Sequence, residues 1–297
     1  MESIVLEEIL SSKGTLTGEQ VVKVIPITGG CTHSAWKLEL KTGKQLFAKT
    51  CKKDDFAMLE FEANCLKALN KLIDKDFLTV PQPIITQKLV SSAILIMPWL
   101  TLQEGNEKKL GKGLALLHLE SSKGYQESFG WGKDGFIGYS PQIAGWEESW
   151  GACFVKLRLH PQIKMASKWG LKFPFNKFSS KLVKYLDIHH PKPSLVHGDL
   201  WKGNAAVNEK GKGVLFDPAA CWADREVDIG MTRLFGGFSK DFYNGYNEVW
   251  HLPKDYIDRI DIYNLYHVLN HANLFGGSYK NQSLSLLNKI NIFLKKY

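Results

Sequence analysis

His197-Gly198-Asp199-Leu200-Trp201-Lys202-Gly203-Asn204, followed a short way on by Phe216-Asp217-Pro218, is the stretch on which the reading of this chain rests. It has the form H-x-D-L-x-x-x-N, with a further aspartate 13 residues after the asparagine. In between, Ala205 to Asn208 and Val214 to Asp217 read as two short strands about Glu209-Lys210-Gly211-Lys212, a hairpin. A hairpin comes back to where it started, so Asn204 and Asp217 must lie side by side. Asp199 can take a proton from an attacking hydroxyl, while Asn204 and Asp217 offer hard oxygens to Mg²⁺. Three such groups gathered at one place point to phosphoryl transfer.

Such a site needs a nucleotide grip, and the preceding residues offer one. Val21 to Ile27 is β-branched and apolar and ends at Thr28-Gly29-Gly30-Cys31, a turn that could cover phosphates. Ala35 to Leu40 alternates with period two, and Lys41-Thr42-Gly43-Lys44 turns it into Gln45 to Thr50. Lys49 therefore ends a third strand. Asp55 to Leu72 is helical, with Phe56, Leu59, Ala63, Leu66 and Leu69 at three- and four-residue steps. Glu62 shares a side with Leu66 and Leu69, whereas Glu60 points elsewhere, so Glu62 is the expected ion-pair partner of Lys49. Strands near Ile84 to Leu89 and Ala93 to Met97 lead into Met97-Pro98-Trp99. This segment reads as a hinge whose backbone could bond adenine; Pro98 has no N–H, so Met97 or Trp99 must donate.

Beyond Trp99 the pattern turns helical, with helices expected over Lys108 to Leu119, Trp146 to Leu159, Tyr256 to Phe275 and Ser283 to Leu294. The expected organisation is α+β and bilobal: a small β-rich N-lobe over residues 1–98 that binds nucleotide, and a larger helical C-lobe over 99–297 that carries catalysis and substrate.

Composition removes other classes. The chain has 297 residues, 44% hydrophobic and 23% charged, which excludes disorder and repeats. No stretch reaches the ~20 apolar residues of a membrane span, and the N-terminus lacks a basic segment followed by an apolar one, so a cytoplasmic location is expected. Five cysteines without C-x-x-C spacing argue against a disulfide framework or structural zinc. The net charge is +8, with 12 Lys/Arg against 11 Asp/Glu in residues 1–98 and 26 against 19 in the rest. Only four of the basic residues are arginine and none are clustered, so an anionic small substrate or nucleotide suits the charge better than nucleic acid.

Taken together the chain resembles the fructosamine/ketosamine-3-kinases, within the aminoglycoside- and choline-kinase-like group of the protein-kinase-like fold. The resemblance rests on Thr28-Gly29-Gly30-Cys31, Phe47-Ala48-Lys49, Glu62 to Leu66, Ser140-Pro141-Gln142, Trp146, Trp150, Arg158-Leu159 and His197 to Asn204. It continues through Asp217-Pro218-Ala219, Arg225 to Asp228, Phe235-Gly236-Gly237-Phe238 and Asn270 to Gly276. Thr32 departs from the aliphatic residue more usual after the cysteine. The resemblance implies ATP- and Mg²⁺-dependent phosphorylation of O3 of a ketoamine, free or protein-bound, whose 3-phosphate then eliminates and frees the amine. The implied roles are Asp199 as base, Asn204 and Asp217 as metal ligands, and Gly29, Gly30, Lys49, Glu62, Met97, Pro98 and Trp99 around the nucleotide.

Trp201, two positions after the base, is expected to stack on the sugar. Asp228 is expected to hold the catalytic loop by its backbone, with His197 and His271 structural. Cys31, beside Lys49 and bound Mg²⁺, is a candidate redox-sensitive thiol. A kinase of another small alcohol, such as choline or an aminoglycoside, is the alternative. A non-catalytic binding module would have lost Lys49, Asp199, Asn204 or Asp217, and all four are present.

Overall fold

The computed structural model describes residues 19–28 and 33–297. Gly29, Gly30 and Cys31, the expected phosphate-covering turn and its thiol, lie outside the described residues.

Strands β1 (Val21–Ile27), β2 (Ser34–Leu40), β3 (Gln45–Lys52), β5 (Ile85–Lys88) and β6 (Ser92–Pro98) form an antiparallel sheet in the order β1-β2-β3-β6-β5. The period-two alternation of β3 decides what each side chain meets. Leu46 and Ala48 join Trp36, Leu38, Ile94 and Ile96 in an apolar layer on one face. Phe47, Lys49 and Cys51 turn to the other face, where helix α1 (Phe56–Leu72) packs. On α1 the buried positions are Met58, Leu59, Phe61, Glu62, Ala63, Cys65, Leu66 and Leu69, so Glu62 is carried inward with the apolar stripe, while Glu60 is exposed.

Strand β4 (Leu78–Thr79) leaves that sheet and joins one from the later part of the chain. Its partners are β7 (Leu102–Gln103), β13 (Ala205–Asn208) and β14 (Gly213–Leu215), in the order β4-β14-β13-β7, with β4 parallel to β14. The remainder is mainly helical: α2 (Lys108–Ser121), α3 (Trp150–Cys153), a π-helical segment Phe154–Leu159, α4 (His160–Ala166), α5 (Phe175–Ile188), α6 (Glu226–Met231), α7 (Lys240–Val249), α8 (Tyr256–Phe275) and α9 (Ser278–Phe293). The main apolar core runs unbroken from Leu59 and Leu66 of α1 through Leu114 of α2 to Leu265 and Leu269 of α8.

Two expected boundaries move. Trp146 lies not in a helix but in β11 (Gly145–Glu147), paired with β8 (Phe129–Trp131) opposite Gly130. The helix begins at Trp150, after Ser149 accepts the Ala152 N–H at 3.2 Å as its cap. The last long helix starts at Ser278, five residues before the expected Ser283. Strands β9 (Gly135–Ile137), β10 (Ser140–Gln142), β12 (Ser194–Val196) and β15 (Cys221–Ala223) were not anticipated; β12 and β15 pair antiparallel and frame the catalytic stretch. Among the described residues no helix is long and apolar enough to cross a membrane.

Candidate active site

The β13–β14 hairpin does what its sequence requires. The Phe216 N–H donates to the Asn204 carbonyl at 3.1 Å, closing the hairpin base and setting Asp217 beside Asn204. The Asn204 amide nitrogen donates to the Asp199 carbonyl (2.9 Å) and to Asp199 Oδ2 (3.1 Å), which leaves Asn204 Oδ1 as the oxygen it can offer a cation. Asp217 adopts a left-handed backbone, φ +56°, and keeps its carboxylate partly open to solvent. The Asp217 carboxylate and the Asn204 amide oxygen are hard donors of the kind Mg²⁺ takes, so the residues present fit that ion.

Lys49 is buried and bonds both Glu62 Oε1, at 2.8 Å, and Asp217 Oδ1. The strand, the helix and the hairpin thus converge on one ammonium. Burial alone would push Lys49 down, but Glu62 and Asp217 outweigh it and hold the group charged. Asp199 behaves oppositely. Burial, reinforced by the nearby Asp217 charge and opposed by the Asn204 hydrogen bond, pushes its carboxyl up to about 7. A carboxyl poised near neutrality is well matched to taking up a proton from an alcohol.

Asp228, fully buried on α6, holds the loop that carries Asp199. Its Oδ2 accepts from the His197 N–H at 2.7 Å and its Oδ1 from the Gly198 N–H at 2.8 Å. Gly198 has φ +82°, and a Cβ there would sit 2.1 Å from the Ala219 carbonyl oxygen, so the Asp217-Pro218-Ala219 segment lies directly against the loop backbone. His197 serves this frame: Nε2 donates to the Phe216 carbonyl at 2.9 Å and Nδ1 faces the Asp199 N–H at 3.3 Å.

Behind Asp228 stands a set of residues of which the sequence signalled Arg225 but neither Tyr246 nor His118. Arg225 Nη1 donates to the Tyr246 hydroxyl (3.2 Å), which donates to His118 Nδ1 (2.9 Å). His118 Nε2 then donates to Asp228 Oδ2 at 3.0 Å. Despite burial, His118 and the two backbone donors hold Asp228 below the usual carboxylate range.

At the expected hinge the Trp99 N–H donates to the Gln45 carbonyl at 3.4 Å, and the alternation of an antiparallel ladder turns Met97 toward Phe47 in the same way. Both expected adenine donors are therefore directed into the sheet. Pro98 lies on the opposite side of β6, and the next backbone N–H past Trp99 belongs to Leu100. Trp201 is 39% exposed and its ring lies over Gly203, where a Cβ would come within 2.3 Å of it. His271 is half-buried and bonds the His267 carbonyl through Nδ1 at 2.8 Å.

Comparison with known proteins shows the family and the fold. The fructosamine kinase family model matches residues 6–293. A probable ketoamine kinase of Vibrio vulnificus is 35% identical over 276 residues, covering 91% of this chain and 93% of that one. A protein-ribulosamine 3-kinase of Arabidopsis thaliana, chloroplastic, is 32% identical over 299 residues, covering 98% and 88%. A crystal structure described as a fructosamine-3-kinase from Haemophilus somnus superposes with a TM-score of 0.85 at 24% identity, over 96% of this chain and 97% of that one, which establishes the bilobal protein-kinase-like fold. With its family model spanning nearly the whole length, this chain belongs to the fructosamine kinase family.

Proposed function

We propose that the protein is a ketosamine kinase that transfers the γ-phosphoryl group of ATP to the O3 hydroxyl of a ketoamine. The observation that carries this reading is the convergence of Asp199, Asn204, Asp217, Lys49 and Glu62 on one site in a chain of this family. Lys49, anchored by Glu62, would hold the phosphates, and Asn204 Oδ1 with the Asp217 carboxylate would hold Mg²⁺, which neutralises charge between the β- and γ-phosphates. The Pro98 carbonyl and the Leu100 N–H are the hinge groups for adenine. Asp199 accepts the O3 proton as the hydroxyl attacks, with Trp201 stacked on the sugar. The 3-phosphate so formed can eliminate, releasing the amine, so the protein would act in deglycation.

The test is ATP consumption and amine release with fructosyl-, ribulosyl- and erythrulosyl-lysine, using choline and kanamycin as controls. Turnover confined to the ketoamines, lost by ~10²-fold or more in Asp199→Asn, is the expected result. Turnover of choline or kanamycin in preference to every ketoamine would overturn the substrate assignment.

A further inference from the structure

Trp201 is the first member of a continuous aromatic strip. Its ring meets Phe235 edge-on with centroids 6.1 Å apart, and Phe235 meets His271 at 4.9 Å. His271 in turn meets Phe275 at 5.6 Å and Tyr279 at 5.1 Å. Four separate pieces of chain contribute: the catalytic loop, the Phe235-Gly236-Gly237 loop, the end of α8 and the start of α9. Phe275, at the outer end, is 59% exposed, and Trp201, at the inner end, is 39% exposed. The strip therefore begins beside the catalytic aspartate and ends in solvent. A packed core would have buried both ends.

Resting on the ketosamine reading above, we propose that this strip binds the amine-bearing arm of the ketoamine, the alkyl chain of a modified lysine above all. The substrate's own chemistry sets the direction. The amine is carried on C1, two carbons from the C3 whose hydroxyl must face Asp199, so with the sugar on Trp201 the arm leaves the site next to that ring. The nucleotide is gripped by Lys49 and Glu62 on the β-rich side, which leaves the strip as the built surface on the helical side. The secondary amine is cationic at neutral pH, and aromatic faces attract cations. The methylenes beyond it find aromatic rings at steps of 5 to 6 Å. Each methylene removed from water there is worth roughly fourfold in affinity. Phe275 is thus a specificity residue that senses the length of the arm and takes no part in the chemistry.

The experiment uses fructosyl adducts of methylamine, butylamine and hexylamine with the full-length protein, comparing wild type with Phe275→Ser and Phe275→Leu. In the wild type KM is expected to fall at least ~10-fold across the series while kcat stays constant. Phe275→Ser flattens the final step, so that the hexyl adduct binds no better than the butyl one, and Phe275→Leu restores part of it. Equal arm-length dependence in wild type and Phe275→Ser, or none in the wild type, overturns the proposal. So does a Phe275→Ser effect confined to sedimentation, which would make the strip a contact between two copies of the chain. Wild type that turns over none of the three adducts brings down the ketosamine reading itself, an outcome distinct from turnover without arm-length dependence.

Discussion

Replacing Asp228 with asparagine changes one oxygen to an amide nitrogen in a fully buried position. The carboxylate has three donors to satisfy: the N–H of His197 at 2.7 Å, the N–H of Gly198 at 2.8 Å, and His118 Nε2 at 3.0 Å. His197 and His118 share Oδ2, so the least costly placement keeps the asparagine oxygen there and turns its NH₂ toward Gly198, donor against donor. A hydrogen bond to a charged acceptor contributes about 1.5–3 kcal/mol, and a stranded buried N–H costs about 1–3 kcal/mol. The two figures overlap, since they describe the same lost bond, and together give a destabilisation of about 3 kcal/mol. At about 2–4 °C per kcal/mol that is a fall in Tm of roughly 6–12 °C.

Activity should fall further than stability suggests, because the freed N–H belongs to Gly198, the residue immediately before Asp199. A misplacement on the order of 1 Å can cost ~10²-fold in kcat, while ATP affinity, set by Lys49 and Glu62, stays close to wild type. Because Asp228 is held below the usual carboxylate range, the wild-type stability it provides is present above about pH 4 and lost as pH falls through that range. The variant should lack that portion of the acid dependence. Denaturant unfolding at pH 7 and at pH 3, with initial rates and ATP titration on folded protein, measures all three. Destabilisation below about 1 kcal/mol with kcat within twofold of wild type would refute the role given to Asp228.

Asp217→Ala is expected to abolish the Mg²⁺ dependence of ATP binding in calorimetric titration, and equal dependence in variant and wild type would remove Asp217 from the metal site. Gly198→Ala places a methyl 2.1 Å from the Ala219 carbonyl at φ +82°, so it should lose at least ~10-fold in kcat, whereas Gly211→Ala, left-handed but open, should cost stability alone. His189 bonds Asp224 at 3.0 Å and lies 3.5 Å from Glu226. Burial opposes its charge, but those carboxylates raise it above the ordinary imidazole range. Its stabilisation is therefore full at acidic pH and lost as pH rises past neutrality. His189→Gln should remove that alkaline decline, seen as Tm curves for the two proteins that converge from pH 6 to pH 9.

The groups legible in the sequence are those whose partners are close along the chain. Asp199, Asn204 and Asp217 lie within one loop and one hairpin, and local turn geometry alone brings them together. Lys49 and Glu62 are 13 residues apart on a strand and the helix that follows it, so two simple periods decide which face each takes. The relay behind the loop is different in kind. His118 meets Asp228 across 110 residues, and on α2 it occupies the same buried stripe as Leu114 and Leu117, so its spacing marks it only as interior. Strands β8 to β12 are three residues each, too short for alternation to show, and Trp146 is drawn into β11 by Gly130 from elsewhere in the chain. Helix α5 did carry a signal in Phe178, Leu182, Tyr185 and Leu186, buried at three- and four-residue steps. At the hinge, Trp99 reads as an open donor in the sequence because its pairing opposite Gln45 exists only once β3 lies against β6.

The left-handed backbone at Asp217 sets protein quality against chemistry at a single position. For most L-residues that conformation costs on the order of 1–2 kcal/mol; glycine adopts it freely, and aspartate and asparagine bear it at a smaller cost. Replacement by glycine would relieve that backbone at the loss of the Asp217–Lys49 pair, while leaving Lys49 paired with Glu62 and the hairpin closed. Laboratory evolution for heat resistance alone should therefore drift toward glycine at residue 217, enriching well-folded, long-lived molecules that have lost a ligand for the metal. Only a screen that reads turnover keeps the aspartate, which makes position 217 an internal gauge of which property a selection has rewarded.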